Sequence, residues 1–168
     1  MGMKKFFAAL GIVGAASSTL SVGDPAPSFV AENQDGKKVQ LTDFKGKPVL
    51  IYFYPKDDTP GCTKEACQFR DDYSKFQKKG AVILGVSAQD AESHKSFRQK
   101  YHLPFDLLID KDGSLAKSFG VGMMPVIGLH QRQSILIDSQ GKIAKFYSSV
   151  DPKEHSQEVL AELDKMSH

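Results

Sequence analysis

The chain has only two cysteines in 168 residues, Cys62 and Cys67. Two are too few for a disulfide scaffold and too few for a tetrahedral zinc site. What remains for them is redox or nucleophilic chemistry, beside the alternative of two buried, inert thiols. Excess charge of one sign is also lacking: 22 Lys and Arg face 20 Asp and Glu, a net charge of +2. The bases are scattered among the acids, so there is no basic stripe for a nucleic acid. No internal repeat, low-complexity segment or linker divides the chain. Its 40% hydrophobic and 25% charged residues are those of a globular protein, and the length fits one domain with a core of ordinary size.

Long hydrophobic runs are missing as well. The N-terminal run from Phe6 to Ala16 has 11 residues, whereas a membrane span needs roughly 20. Lys4 and Lys5 precede the run and small residues follow it. This pattern predicts a secretory signal peptide over residues 1–20, with cleavage near Ala16 or Ser18 and one domain over 21–168. Gly11 and Gly14 and the lack of polar alternation argue against an N-terminal amphipathic or buried helix. No Cys ends the run, which excludes a lipoprotein, and the first Arg is Arg70, so there is no twin-Arg signal. Cleavage after Ala16 leaves 20 basic residues against 20 acidic. The expected location is the bacterial periplasm, with the cytoplasm as the alternative and no membrane association in the mature form.

Further along, "SVGDPAPSF" is a Pro-rich lead-in. Two short extended pieces flank a Gln34-Asp35-Gly36 turn. Val49 to Tyr54 is a continuous apolar run, as a strand covered on both faces requires. A helix is expected from about Thr59 to Lys79, ended by Gly80. "AVILGVSA" reads as a second buried strand. A helix capped by Asp90 follows, with Pro104 just past its end. "FDLLID" is a third strand, "GSLAKSFG" a short helix, and "SILID" with "KIAKFYSS" a hairpin. The closing helix has Asp151 as its cap, Pro152 in first position, and Val159, Leu160 and Leu163 on its apolar side. This order predicts an α/β domain with a central mixed β-sheet flanked by helices.

The two thiols fall on the helix after Pro55. At 100° per residue, Cys62 joins Ala66, Phe69, Tyr73 and Phe76 in one stripe, and Cys67 lies about 140° away. Five residues of rise put the two Cα atoms roughly 8–9 Å apart. A disulfide needs them within about 7 Å. The pair cannot bond while the helix is intact; its first turn must unwind. In a C-x-x-C pair the sulfurs already lie close. The wider spacing suits sequential chemistry, in which one sulfur reacts alone and the second captures its sulfenic acid. With Thr59 as N-cap and Pro60 first, Cys62 takes the third helical position, where free N–H groups and the helix dipole favour negative charge. Asp57 and Asp58 are expected to point to solvent.

These residues carry a resemblance. "PKDDTPGC" is similar to the peroxiredoxin pattern P-x-x-x-T-x-x-C, through Pro55, Thr59 and Cys62. "GCTKEACQFRD" resembles the bacterioferritin-comigratory or Q-type subfamily, whose resolving cysteine lies five residues on. "GDPAPSF", "DFKGKPVLIYFYP" and "RQSILIDSQGKI" resemble it in order and spacing, so the likeness runs from Val22 to the C-terminus. It implies a thioredoxin-like fold and a thiol peroxidase acting on hydrogen peroxide and organic hydroperoxides, with no cofactor and no metal. Cys62 would be the peroxidatic thiolate and Cys67 the resolving thiol that closes an intramolecular disulfide. Thr59 would hydrogen-bond the peroxide, Pro55 would shield the pocket, and Arg132 would be the active-site cation. A thioredoxin-like donor would reduce the disulfide. With the resolving sulfur in the same chain, a monomer is expected. Ser134 departs from the Thr of many relatives. Two other readings are an exported copper chaperone, in which His130 joins the thiols, and an exported disulfide reductase; the spacing of the cysteines speaks against both. His94, His102, His130, His155 and His168 are expected on the surface, and Met123 and Met124 in ordinary packing.

Overall fold

The molecule is known from a computed structural model that describes residues 19–166. The expected signal segment lies, up to residue 18, outside the described residues. Leu20, at its end, packs onto the apolar core of the domain.

Strands β1 (Val30–Glu32) and β2 (Lys38–Gln40) pair antiparallel around the Gln34–Gly36 turn, and a 3-10 turn follows at Leu41–Phe44. The central sheet is built from β3 (Val49–Phe53), β4 (Val82–Ser87), β5 (Asp106–Ile109), β6 (Gln133–Ile137) and β7 (Ile143–Tyr147). Their order is β5-β4-β3-β6-β7. β3 and β4 run parallel, as do β4 and β5, whereas β6 is antiparallel to both β3 and β7. The sheet is mixed, as expected, and its parallel half is joined by helical crossovers.

The helices are α1 (Pro60–Asp71), α2 (Tyr73–Lys78), α3 (Ala91–Tyr101), α4 (Ser114–Ser118) and α5 (His155–Met166). Alternation along β3 divides the core. Leu50 and Tyr52 face Ala66 and Phe69 of α1, Phe76 of α2, Phe97 of α3 and Val159, Leu160 and Leu163 of α5. Val49, Ile51 and Phe53 face Leu115 and Ala116 of α4 and Val39 of β2. Every residue of β3 is buried, which is why its sequence is apolar throughout instead of alternating.

Two helix expectations need correction. The helix expected over 59–79 is broken at Asp72 (φ −96°, ψ 6°). The Asp72 carboxylate accepts a hydrogen bond from Ser156 Oγ on α5, 2.7 Å, and its carbonyl accepts from Lys75 N, 2.9 Å. A contact from a distant element thus coincides with the break. The closing helix begins at His155 instead of Pro152, after a turn that Asp151 still caps: Oδ1 accepts from Lys153 N at 2.9 Å, and the carbonyl accepts from Glu154 N and His155 N. Asp90 caps α3 as expected, accepting from Ser93 N at 3.0 Å.

The register of the sheet places the candidate site. Phe53 pairs with Gln133, so the residues just after β3 and just before β6 meet at one end of the sheet. The first group carries the loop to Cys62; the second contains Arg132. β4 ends at the same edge, where carboxyl ends of parallel strands commonly form binding clefts.

Candidate active site

Thr59 has extended backbone angles and starts α1, with Pro60 in the first helical position and Thr63 N donating to Thr59 O at 2.8 Å. Its hydroxyl does not cap the helix; it donates to the Lys56 carbonyl, 2.8 Å, and so closes the loop behind it. Pro55, at the loop's start, is half-buried. Cys62 is in the third helical position, 1% exposed, with its side chain in the apolar stripe beside Ala66 and Phe69. Both cysteines are free thiols, and α1 is continuous across them.

Arg132 Nη2 donates to Cys62 Sγ at 3.3 Å, and Nη1 donates to Glu65 Oε1 at 2.8 Å. Gly61 makes this approach possible, since a Cβ there would come within 3.0 Å of Arg132 Nη2. Burial opposes the guanidinium's charge, but Glu65 and Cys62 beside it hold its pKa above the ordinary value. A fixed cation thus lies against the sulfur, able to stabilise negative charge on it and on an oxygen brought to it.

Glu65 was not singled out by sequence. It is fully buried, and burial pushes its carboxyl up from an ordinary 4.5 to about 7 against the pull of Arg132. Its Oε2 has no hydrogen-bond partner. The available signal was its place, three residues after Cys62, within an otherwise apolar helix face. A carboxylate there has to meet a cation.

Cys67 is half-buried on the flank of α1. Burial pushes its thiol up, with Arg70 opposing and Asp71 adding to the rise. It lines a cleft of about 310 Å³ together with Asp58, Thr59, Pro60, Thr63 and Tyr101.

The expectation that both aspartates are solvated holds only for Asp58. Asp57 is buried: Tyr54 Oη donates to Oδ1 at 2.6 Å, Ser93 Oγ donates to Oδ2 at 2.8 Å, and His94 Nδ1 meets Oδ2 at 2.6 Å. The histidine expectation also fails at three positions, because His94, His130 and His155 are fully buried. His130 Nε2 meets Asp110 Oδ2 at 2.8 Å and its ring stacks on Phe53, on the sheet face away from Cys62. His155 Nε2 meets Ser134 Oγ at 2.8 Å, and burial lowers its pKa. His168 lies outside the described residues. Met123 packs against the core as expected, at Gly113. Among the described residues, no group of three or more His, Cys, Asp and Glu is placed to hold a metal, and no helix is long and apolar enough to cross a membrane.

Residues 22–146 match the model of the AhpC/TSA family. Chloroplastic peroxiredoxin Q of Suaeda salsa is 46% identical over 142 residues, 84% of this chain. The chain spans 66% of that plant protein's own length, just under two thirds. The putative peroxiredoxin bcp of Coxiella burnetii is 44% identical over 151 residues, covering 86% of this chain and 99% of that protein. Among solved structures, the bacterioferritin comigratory protein of Xanthomonas campestris, studied for alkyl peroxide reduction, has a TM-score of 0.77 at 32% identity, covering 83% of this chain and 92% of that one.

These relatives overturn the expectation of export to the periplasm. The plant proteins are named as chloroplastic and the Coxiella protein as a bcp peroxiredoxin, not as periplasmic enzymes. The thioredoxin-like fold is that of the solved relative, and the copper-chaperone reading loses its third ligand with His130 on the far face of the sheet. With its family match, its relatives and its buried thiol beside an arginine, the chain belongs to the AhpC/TSA family, among the peroxiredoxins of the Q and bcp type.

Proposed function

We propose that the chain is a thiol-dependent peroxidase that reduces hydrogen peroxide and organic hydroperoxides. The observation that carries this reading is the 3.3 Å contact between Arg132 Nη2 and the buried Cys62 Sγ. The guanidinium lies where negative charge develops as the Cys62 sulfur reacts with a peroxide. The thiolate attacks one peroxide oxygen, the O–O bond breaks, and the other oxygen leaves as water or an alcohol once it has gained a proton. Cys62 becomes a sulfenic acid. Pro55 screens this chemistry from water, and the Thr59 hydroxyl, held at the Lys56 carbonyl, turns to the bound peroxide.

Cys67 then attacks the Cys62 sulfur. The S–S bond forms, the S–O bond breaks, and hydroxide leaves as water with the Cys67 proton. Burial keeps that proton on Cys67 until it is needed. The first turn of α1 unwinds for this step, since five helical residues separate the sulfurs too widely to bond. A thioredoxin-like dithiol takes the disulfide back to two thiols, and the enzyme works as a monomer.

Stopped-flow peroxide consumption with a thioredoxin and its reductase tests the reading. Cys62→Ser should abolish turnover. Cys67→Ser should keep one rapid reaction with peroxide and then stall, and Arg132→Ala should slow that first reaction by about 100-fold. Turnover by Cys62→Ser, or normal recycling of Cys67→Ser by the protein donor, would overturn these assignments.

A further inference from the structure

Opening the first turn of α1 requires the loop before it to let go, and that loop is held at two adjacent carboxylates in very different settings. Asp57 is buried and bound by Tyr54, Ser93 and His94, while its backbone N donates to Gln89 Oε1 at 3.0 Å. The His94 ring is itself fixed at its other nitrogen, where Nε2 donates to the Leu108 carbonyl at 2.8 Å. Asp58 is exposed and reaches the end of α3, accepting from Lys100 Nζ at 2.8 Å and from Tyr101 Oη at 2.8 Å. Its φ is +59°, in the left-handed region that a residue other than glycine enters at an energetic cost.

Asp58 and Tyr101 line the same cleft as Cys67. The outer contact therefore stands at the cleft that opens onto Cys67, next to the first turn of α1. An exposed ion pair is a weak tie, and relaxation of the left-handed residue favours its loss. The buried neighbour, with four hydrogen-bonding contacts, stays in place.

We propose that Asp57 and Asp58 act as a hinge and a latch: Asp57 fixes the loop to α3, and the Asp58 clasp on Lys100 and Tyr101 must open before Cys62 can reach Cys67. Both are positioning residues. The latch sets how long the sulfenic acid persists, and hence how it is divided between two fates. In one, Cys67 displaces hydroxide from the Cys62 sulfur and the disulfide forms. In the other, a second peroxide transfers an oxygen to the sulfenic acid, giving the sulfinic acid and water or an alcohol. The inference rests on the proposed peroxidase reading and adds to it a control on the resolving step.

The test removes the latch from the α3 side, leaving the loop sequence intact. In the double variant Lys100→Met, Tyr101→Phe, rapid-quench alkylation with mass spectrometry should show sulfenic acid forming at the wild-type rate. Disulfide formation should be about two- to fivefold faster, the range that loss of an exposed ion pair allows. The sulfinic fraction under excess peroxide should fall by a similar factor. Amide hydrogen exchange over residues 58–63 of the reduced protein should speed up correspondingly. Asp58→Asn, which tolerates the left-handed backbone, should move all readouts in the same direction. Lys95→Met, which removes an equal charge from α3, should move none; Lys95 pairs instead with Asp35. Unchanged disulfide formation and exchange in both latch variants, or an equal effect from Lys95→Met, would overturn the proposal. A wild-type protein inert to peroxide would defeat the peroxidase reading instead, and the exchange experiment would still decide the latch.

Discussion

Glu65 is fully buried one turn after Cys62, with Oε1 on Arg132 and Oε2 unpartnered. Burial raises its carboxyl to about 7. Both folded and unfolded chains hold the proton at low pH, so the penalty of burying the charge is absent there. The unfolded chain releases its proton near 4.5 and the folded one only near 7. Stability from this group is therefore complete below about pH 4.5 and lost as pH rises towards 7, by at most about 3 kcal/mol. Glu65→Gln keeps an oxygen for Arg132 but removes the titration. Urea unfolding of this variant should show a flatter pH dependence than wild type between about pH 5 and 8; parallel curves would mean that Glu65 is not the group responsible. The residue was legible only as an acid on an apolar helix face. Its partner stands 67 positions away, and nothing local indicates the pairing.

The first turn of α1 combines opposing demands. Gly61 weakens a helix, and replacing glycine by alanine in a helix interior ordinarily gains about 1 kcal/mol. Here the added Cβ would lie 3.0 Å from Arg132 Nη2 and 4.0 Å from Pro152. Gly61→Ala should leave thermal stability within about 1 kcal/mol of wild type while moving the guanidinium off Cys62. Sulfenic acid formation should then slow by at least about tenfold, measured in single-turnover mixing. A wild-type rate would show that the arginine adjusts freely. At this scale much was legible: the stripe of Cys62, Ala66, Phe69 and Phe76, the Asp90 cap, and the buried strands. The break at Asp72 was not, because Ser156 arrives from a helix 84 residues later. Nor was the burial of His94, His130 and His155, because each is matched to an acceptor or hydroxyl on another element.

Across the whole molecule, the sheet is packed closely enough to transmit small changes. A Cβ on Gly85 of β4 would lie 2.9 Å from Leu107 Cδ2 and 3.0 Å from the Tyr52 ring and hydroxyl. Gly85→Ala should destabilise the protein by about 1–3 kcal/mol, through overpacking beneath α1. Equilibrium urea unfolding checks this, and an unchanged midpoint would show that the Tyr52 face yields without strain. The sequence by itself determined that a mixed α/β fold forms, that its two thiols cannot bond across an intact helix, and that Cys62 takes the third position of that helix. These follow from periodicity, capping and rise per residue, which are local properties. Only the tertiary structure decided that Glu65 joins Arg132, which resemblance alone had put in the site with Cys62, that Asp57 is buried while Asp58 is exposed, and that His130 is on the far face of the sheet. Those outcomes depend on strand order and register, which bring together residues distant in the chain through hydrogen bonds and burial that no short window of sequence contains.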